Sequence, residues 1–279
     1  MTNLTEEPIS IFRIIREAAE GGFTLDDETM EAIHKKSHLL RWTGVSEIRQ
    51  EFERIVTAEF AGNGLRMIED AGLLFYIVST LAEMMPKGTK TQLSVLMDNI
   101  DKTKRVRERR LGLFYLCFEK RRALEVIERF EYDEPTASLL YDGLKYIDAM
   151  NFLRTEQELK RFAARRGRES YEYLESLAKA QRIVYGLPEE GILNRHRMMQ
   201  KIIENKEPVY TEDLAITSDD LLDNDIAAGK KAEQILDALL ALIHKQPQLN
   251  TKKTLLFYAK KYAKTPFLPA YEKMGSFLR

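Results

Sequence analysis

The sequence predicts an all-α fold. Apolar residues recur at three- and four-residue spacing, as at Leu236, Leu239, Leu240 and Ile243, which is the period of a helix face buried on one side. Most of the 8 prolines and 14 glycines stand at segment borders, where they punctuate helices rather than interrupt them. Alternating, strand-like segments are few and short, and no internal repeat indicates a regular solenoid.

Taken in order, the first helix starts near Thr5, with charged residues following and Pro8 in the first turn; Pro suits that position because its missing N–H would be unpaired anyway. Gly21-Gly22 closes this helix. Thr24 to Asp27 opens a second before "ETMEAIHKKSHLL", since short oxygen-bearing side chains cap free backbone N–H groups. Further borders fall at Gly62-Asn63-Gly64, Pro135, Pro247 and Pro266. Three polar connections, "MMPKGTK" (84–90), "GLPEEG" (186–191) and "NKEPVY" (205–210), predict three packed helical domains at 1–85, 86–205 and 206–279. Connections this short argue against beads on a flexible string.

Composition bounds function. No apolar run approaches the ~20 residues needed to span a bilayer, and no signal-peptide core opens the chain. The single Cys117 excludes an internal disulfide framework and fits a reducing cytoplasm. Flanked by large apolar residues in "LGLFYLCFEK", it reads as a core thiol. There is no GxGxxG, GxxxxGK[ST] or HExxH. His34 and His38 stand at i, i+4, a spacing that can place two metal ligands on one helix face. With no carboxylate or thiol at a familiar distance, surface histidines are the expectation and no metal site is assigned. Asp219, Asp220 and Asp223 could gather a cation; the favoured reading places them at a helix N-terminus, where negative charge complements the dipole.

Positive charge is more informative. Residues 102–122 carry net +7, 154–168 net +4, and 252–264 five lysines with no acid, in a chain of net charge −1. Each run alone reads as a solvated helix face. Three in a near-neutral protein predict basic faces for a phosphate backbone. The expected contacts are Lys104, Arg105, Arg107, Arg109 and Arg110; Arg161, Arg165 and Arg166; and Lys252, Lys253, Lys260 and Lys261. Tyr258 and Tyr262, interleaved in the last run, are expected in the core rather than stacked on bases.

Three stretches carry a resemblance. "EEPISIFRIIREAAEGGFTLDDETMEAIHKKSHLL" resembles the neck of bacterial-type (class II) tRNA nucleotidyltransferases and poly(A) polymerases. "GNGLRMIEDAGLL" looks like the family's segment that follows, and "EPVYTEDLAITSDDLLDNDIAAGKKAEQILDALLALIHKQPQLNTKKTLL" is similar to its C-terminal signature with an "LNT" turn. The resemblance implies an elongated array of neck, body and tail helices gripping the acceptor stem and elbow of tRNA.

It also implies losses. Where the family's E-D-x-x-R motif places an aspartate and an arginine as a template for the incoming nucleotide, this chain has Glu7 and Ser10, with Arg13 the next arginine on the helix. Against the family's V-E-R-I-x-x-E-L stand Val45, Ser46, Glu47, Ile48 and Glu51, so Glu47 reverses a positive charge. The stretch comparable to the L-L-H-D-I-G phosphohydrolase motif of some members has Leu116 and Cys117 in place of His and Asp. Only Met1 to Thr5 precede the neck, which implies that the catalytic head is missing. The resulting expectation is an RNA-binding region with no catalytic residues of its own, for which Mg²⁺ and ATP or CTP matter only if a separate head supplies them. Two other readings stand beside it: a fragment or subunit of an active CCA-adding enzyme or poly(A) polymerase, and a protein-interaction scaffold without RNA.

Overall fold

The computed structural model describes residues 4–79 and 85–265. Among the described residues there are fifteen α-helices and no strand. Met1 to Asn3, Met84 and Pro266, to which parts of the sequence reading refer, lie outside them. Packing divides the chain into two compact units, Met1–Asp148 with Tyr173–Glu189, and Ala149–Glu172 with Glu190–Arg279. The polar connections near 85 and 205 fall inside these units rather than between them.

In the first unit, α1 (Ser10–Gly21) begins later than Thr5, after a turn in which Ser10 and Ile11 donate to the carbonyls of Glu7 and Pro8. It ends at Gly22 (φ +70°), whose N–H bonds Ala18 O at 2.8 Å; a residue with no Cβ adopts this left-handed cap at little cost. α2 (Asp27–Lys36) starts at Asp26, whose carboxylate accepts from Thr29 N at 2.7 Å. A 3-10 turn over Ser37–Trp42 follows. It presents Trp42, the sole tryptophan, at 77% exposure with the Arg41 guanidinium 5.0 Å from its ring.

α3 (Val45–Thr57) and α4 (Ala61–Asp70) pack on α1 through Phe12, Ile15, Ala19, Phe52, Ile55 and Leu65, all buried. Gly62 and Gly64, expected at a border, lie instead in the first turn of α4. They are required there by close approach: a Cβ on Gly62 would sit 2.1 Å from Met97 O of α6 (Lys87–Asn99), and one on Gly64 2.8 Å from Ala19 Cβ. α5 (Leu74–Val78) precedes α6. α7 (Arg107–Tyr115) and α8 (Lys120–Arg129) join an aromatic core in which Phe52 meets Phe114 edge-on at 4.9 Å and the Tyr115 and Tyr132 hydroxyls lie 2.7 Å apart. Cys117 is buried beside them, its thiol pushed up to about 12 by desolvation, as expected of a core residue. Most of α9 (Glu134–Phe152), with Pro135 in its first turn, and of α11 (Arg168–Tyr185) completes the unit, with Gly112 and Gly143 making room for Tyr173 and Leu177.

The second unit holds α10 (Glu156–Arg166), α12 (Glu190–Glu204), α13 (Ser218–Asp223), α14 (Gly229–Ile243) and α15 (Lys252–Ala263). The periodic leucines of α14 form its core with Leu214, Ile216, Leu221, Leu255 and Ala259, and Tyr258 and Tyr262 pack against it, as the sequence predicts. Asp219 and Asp220 occupy the first turn of α13, where Thr217 and Asp220 form a reciprocal capping box. The "LNT" turn is a structural tie: Asn250 accepts from Ala215 N (2.9 Å) and donates to Asp213 O (3.0 Å), and Thr251 caps α15.

Candidate nucleic-acid interface

Two charged surfaces answer to the sequence expectations: an α1–α3 face in the first unit and basic clusters in both. On the first, Arg16 bonds Glu51 at 2.8 Å and Arg54 bonds Glu20 at 3.1 Å. These pairings rise together along both helices, so α1 and α3 run parallel. Arg16 also reaches Glu20 at 2.9 Å, and Arg13 lies 3.6 Å from Glu51 and pairs with Glu7. The Glu7 contact raises the Arg13 pKa above its ordinary value.

Glu7 thus already receives the Arg13 guanidinium and the Ser10 hydroxyl, the latter at 3.3 Å. Ser10 itself is buried, so its side chain serves the turn and is not presented to a ligand. Glu47 is exposed one helical turn before Glu51 on α3. The structure therefore brings Glu7, Ser10 and Arg13 together and puts Glu47 near their end of the helix pair. The result is an internally neutralised patch with acid to spare. It offers a triphosphate little attraction, because each arginine already faces a carboxylate.

The basic run at 102–110 resolves into different roles. Lys104 and Arg105 are exposed on the loop before α7. Arg105 lies 3.6 Å from the equally exposed Glu59 and lines a cleft of about 250 Å³ with Glu20, Arg54 and Glu59. Such a solvent-exposed pair holds loosely and can exchange for a phosphate. Arg107 is already enclosed by Glu53 (3.5 Å), Glu108 (2.9 Å) and Asp133 (3.4 Å), and donates to Thr136 Oγ1. Arg109 is half-buried and donates to Lys104 O at 3.1 Å, with desolvation lowering its pKa.

Arg110 corrects the sequence reading outright. Expected on the RNA surface, it is 1% exposed and donates to Val56 O (3.1 Å), Ala58 O (2.7 Å), Thr103 O (2.8 Å) and Thr103 Oγ1 (3.3 Å). It fastens the C-terminal end of α3 to the loop before α7. Burial pulls its pKa down to about 10. Three helix-end carbonyls converging on one point need a forked donor more than the surface needs another charge.

In the second unit, Arg161, Arg165 and Arg166 are half-buried on α10, the last two in its final turn, where they complement the dipole. Arg168, which closes the 154–168 run but is not among the expected contacts, stacks 4.4 Å over the Tyr210 ring and approaches Asp213 at 3.8 Å. On α15, Lys252, Lys253, Lys260 and Lys261 are all exposed. Lys252 is held by Asp220 at 2.5 Å. Lys253, Lys260 and Lys261 have no carboxylate within ion-pair distance among the described residues. Among the described residues no group of three or more His, Cys, Asp or Glu side chains could hold a metal ion, and no helix is long and apolar enough to cross a membrane.

Comparison with known proteins bears on these surfaces. Residues 22–85 match a family model described as "Probable RNA and SrmB-binding site of polymerase A". Over 73 residues the chain is 33% identical to a CCA-adding enzyme of Geobacillus sp. (strain WCH70), and over 72 residues 29% identical to one of Anoxybacillus flavithermus (strain DSM 21510 / WK1). Each match covers 26% of this chain and 18% of the relative, so the similarity spans under a fifth of those enzymes. A solved CCA-adding enzyme, in its apo form I, superposes with a TM-score of 0.58 at 17% identity, over 96% of this chain and 62% of that one. The likeness to the solved enzyme shows a shared helical fold, and the match at 22–85 shows similarity to the RNA-binding site of polymerase A.

Proposed function

We propose that this chain is the RNA-binding helical region of a tRNA nucleotidyltransferase-like protein, that it takes tRNA or another structured RNA, and that it adds no nucleotides by itself. The observation that carries the reading is the outer surface of α15, where Lys253, Lys260 and Lys261 are exposed with no carboxylate partner among the described residues. Unpaired surface cations beside a neutral body favour a polyanion whose counterions are released on binding. The family match at 22–85 supports the same class of ligand. The neutralised patch around Glu7, Ser10, Arg13 and Glu47 supports inactivity toward free nucleotides. On this reading Mg²⁺ and ATP or CTP belong to a separate head, the setting is the cytoplasm, and the role is in tRNA processing.

The test is a filter-binding titration of tRNA at two salt concentrations. Four to five phosphate contacts give a log–log salt slope of roughly −3 to −5. Changing Lys253, Lys260 and Lys261 to glutamine should flatten it by about two to three. No binding at low salt, or an unchanged slope in the triple variant, would refute the reading and favour an interaction scaffold. In parallel, a tRNA lacking its 3′ end should gain no label from ATP or CTP with Mg²⁺.

A further inference from the structure

The lysines of α15 do not stand alone. Lys253, Phe257, Lys260, Lys261 and Lys264 follow one another at steps of four, three, one and three residues, which sets them on one side of a helix. The opposite side carries Leu255 and Ala259 into the core of the second unit. Phe257 is 66% exposed in the middle of this cationic side, and Lys264 at the helix end is exposed as well.

A phenylalanine in water among ammonium groups gives up the burial that its ring could gain, on the order of 1.5–3 kcal/mol. Its placement is also fixed. The Phe257 ring meets Tyr258 at 5.5 Å and 80°, and Tyr258 lies 6.3 Å from Tyr262, both tyrosines being packed against the core. The Tyr258 contact is edge-to-face, so the ring is braced from the side while much of it remains open to solvent.

We propose that α15 is a stacking platform for an unpaired RNA nucleotide, whose base lies on Phe257 and whose flanking phosphates are met by Lys253, Lys260, Lys261 and Lys264. Charge decides the partner. Residues 252–264 contain no acid, and Lys252, on another side, is the lysine engaged by Asp220. A face of four cations around one aromatic ring matches how single-stranded nucleic acid is held, by phosphate attraction plus a sequence-tolerant π contact. A regular duplex keeps its bases inside the stack and offers such a ring nothing. The inference rests on the proposed RNA binding and adds to it a preference for unpaired nucleotides.

The experiment compares two RNAs of equal charge in filter binding with the full chain: a hairpin with a loop of unpaired bases and a blunt duplex. Phe257→Ala should weaken hairpin binding by about tenfold or more, the usual loss for one stacked base. It should leave the duplex, and the salt slope of both, unchanged. Phe257→Tyr should restore the hairpin preference. Because Phe257 is exposed, circular dichroism should show Phe257→Ala fully folded. Equal losses on both RNAs, or none on either, overturn the stacking platform while leaving RNA binding intact. Failure of the wild-type chain to bind either RNA overturns both, as does retention only by anionic lipid vesicles.

Discussion

Replacing Arg110 by methionine should loosen the joint between α3 and α7 without touching the RNA surface. The side chain donates to three buried carbonyls, those of Val56, Ala58 and Thr103, and to the Thr103 hydroxyl. Methionine keeps the volume and removes every donor. At about 1.5 kcal/mol for each carbonyl left unmatched, the variant loses about 4–5 kcal/mol. Against that stands the cost of keeping a guanidinium out of water, which draws its pKa down from the ordinary guanidinium value to about 10. At about 1.4 kcal/mol per pKa unit, methionine recovers about 3 kcal/mol of it. The net destabilisation is therefore about 1–2 kcal/mol. Arg110→Lys should be worse, because it retains the buried charge and loses the planar fork. Urea unfolding followed by helical circular dichroism measures both midpoints, and filter binding measures affinity on the folded variants. A methionine variant with wild-type stability but weakened RNA binding would refute the reasoning and return Arg110 to the surface.

His244 is buried, and desolvation together with Lys160 and Arg161 lowers its pKa to about 4. The unfolded chain therefore takes up this proton first, so stability should fall by about 3 kcal/mol as pH drops from 6.5 to 4, and His244→Gln should flatten that part of the pH–stability curve. Lys160, 5% exposed, bonds Glu207 at 2.8 Å, an interaction that lowers the Glu207 pKa. Glu207→Gln should cost about 2 kcal/mol at neutral pH, and the difference should vanish as pH falls through the folded Glu207 pKa; an equal loss at all pH values would argue against the ion pair. Gly62→Ala drives a Cβ toward Met97 O and should lower stability by about 2–3 kcal/mol, read as a drop in Tm.

What the sequence disclosed followed from how each signal is written. The α14 leucines, the helix start within Thr24 to Asp27 and the Asp219–Asp220 N-terminus are local, period-bound features, and the fold places them where the pattern puts them. Gly62 and Gly64 misled because a glycine marks a turn and a close helix contact with the same letter; only the position of Met97 separates the two. Arg110 misled for a related reason. Its neighbours Arg105 and Arg109 make a charge run, and nothing in that run says which member turns inward to distant carbonyls at Val56 and Ala58. Phe257 was legible in principle, since its spacing from Lys253 and Lys261 puts it on their side of the helix, one position away from the core-bound Tyr258.

Trp42 bears on how this protein can be watched. Its indole faces water in the native state, with Arg41 alongside, so its emission already resembles that of an unfolded chain. Intrinsic tryptophan fluorescence will thus report little of global unfolding, and a flat signal in denaturant must not be read as resistance. The same isolation makes it a clean local reporter. As the chain's sole indole, it reports a ligand that reaches the 3-10 turn within residues 22–85, the segment that matches the probable RNA-binding-site model.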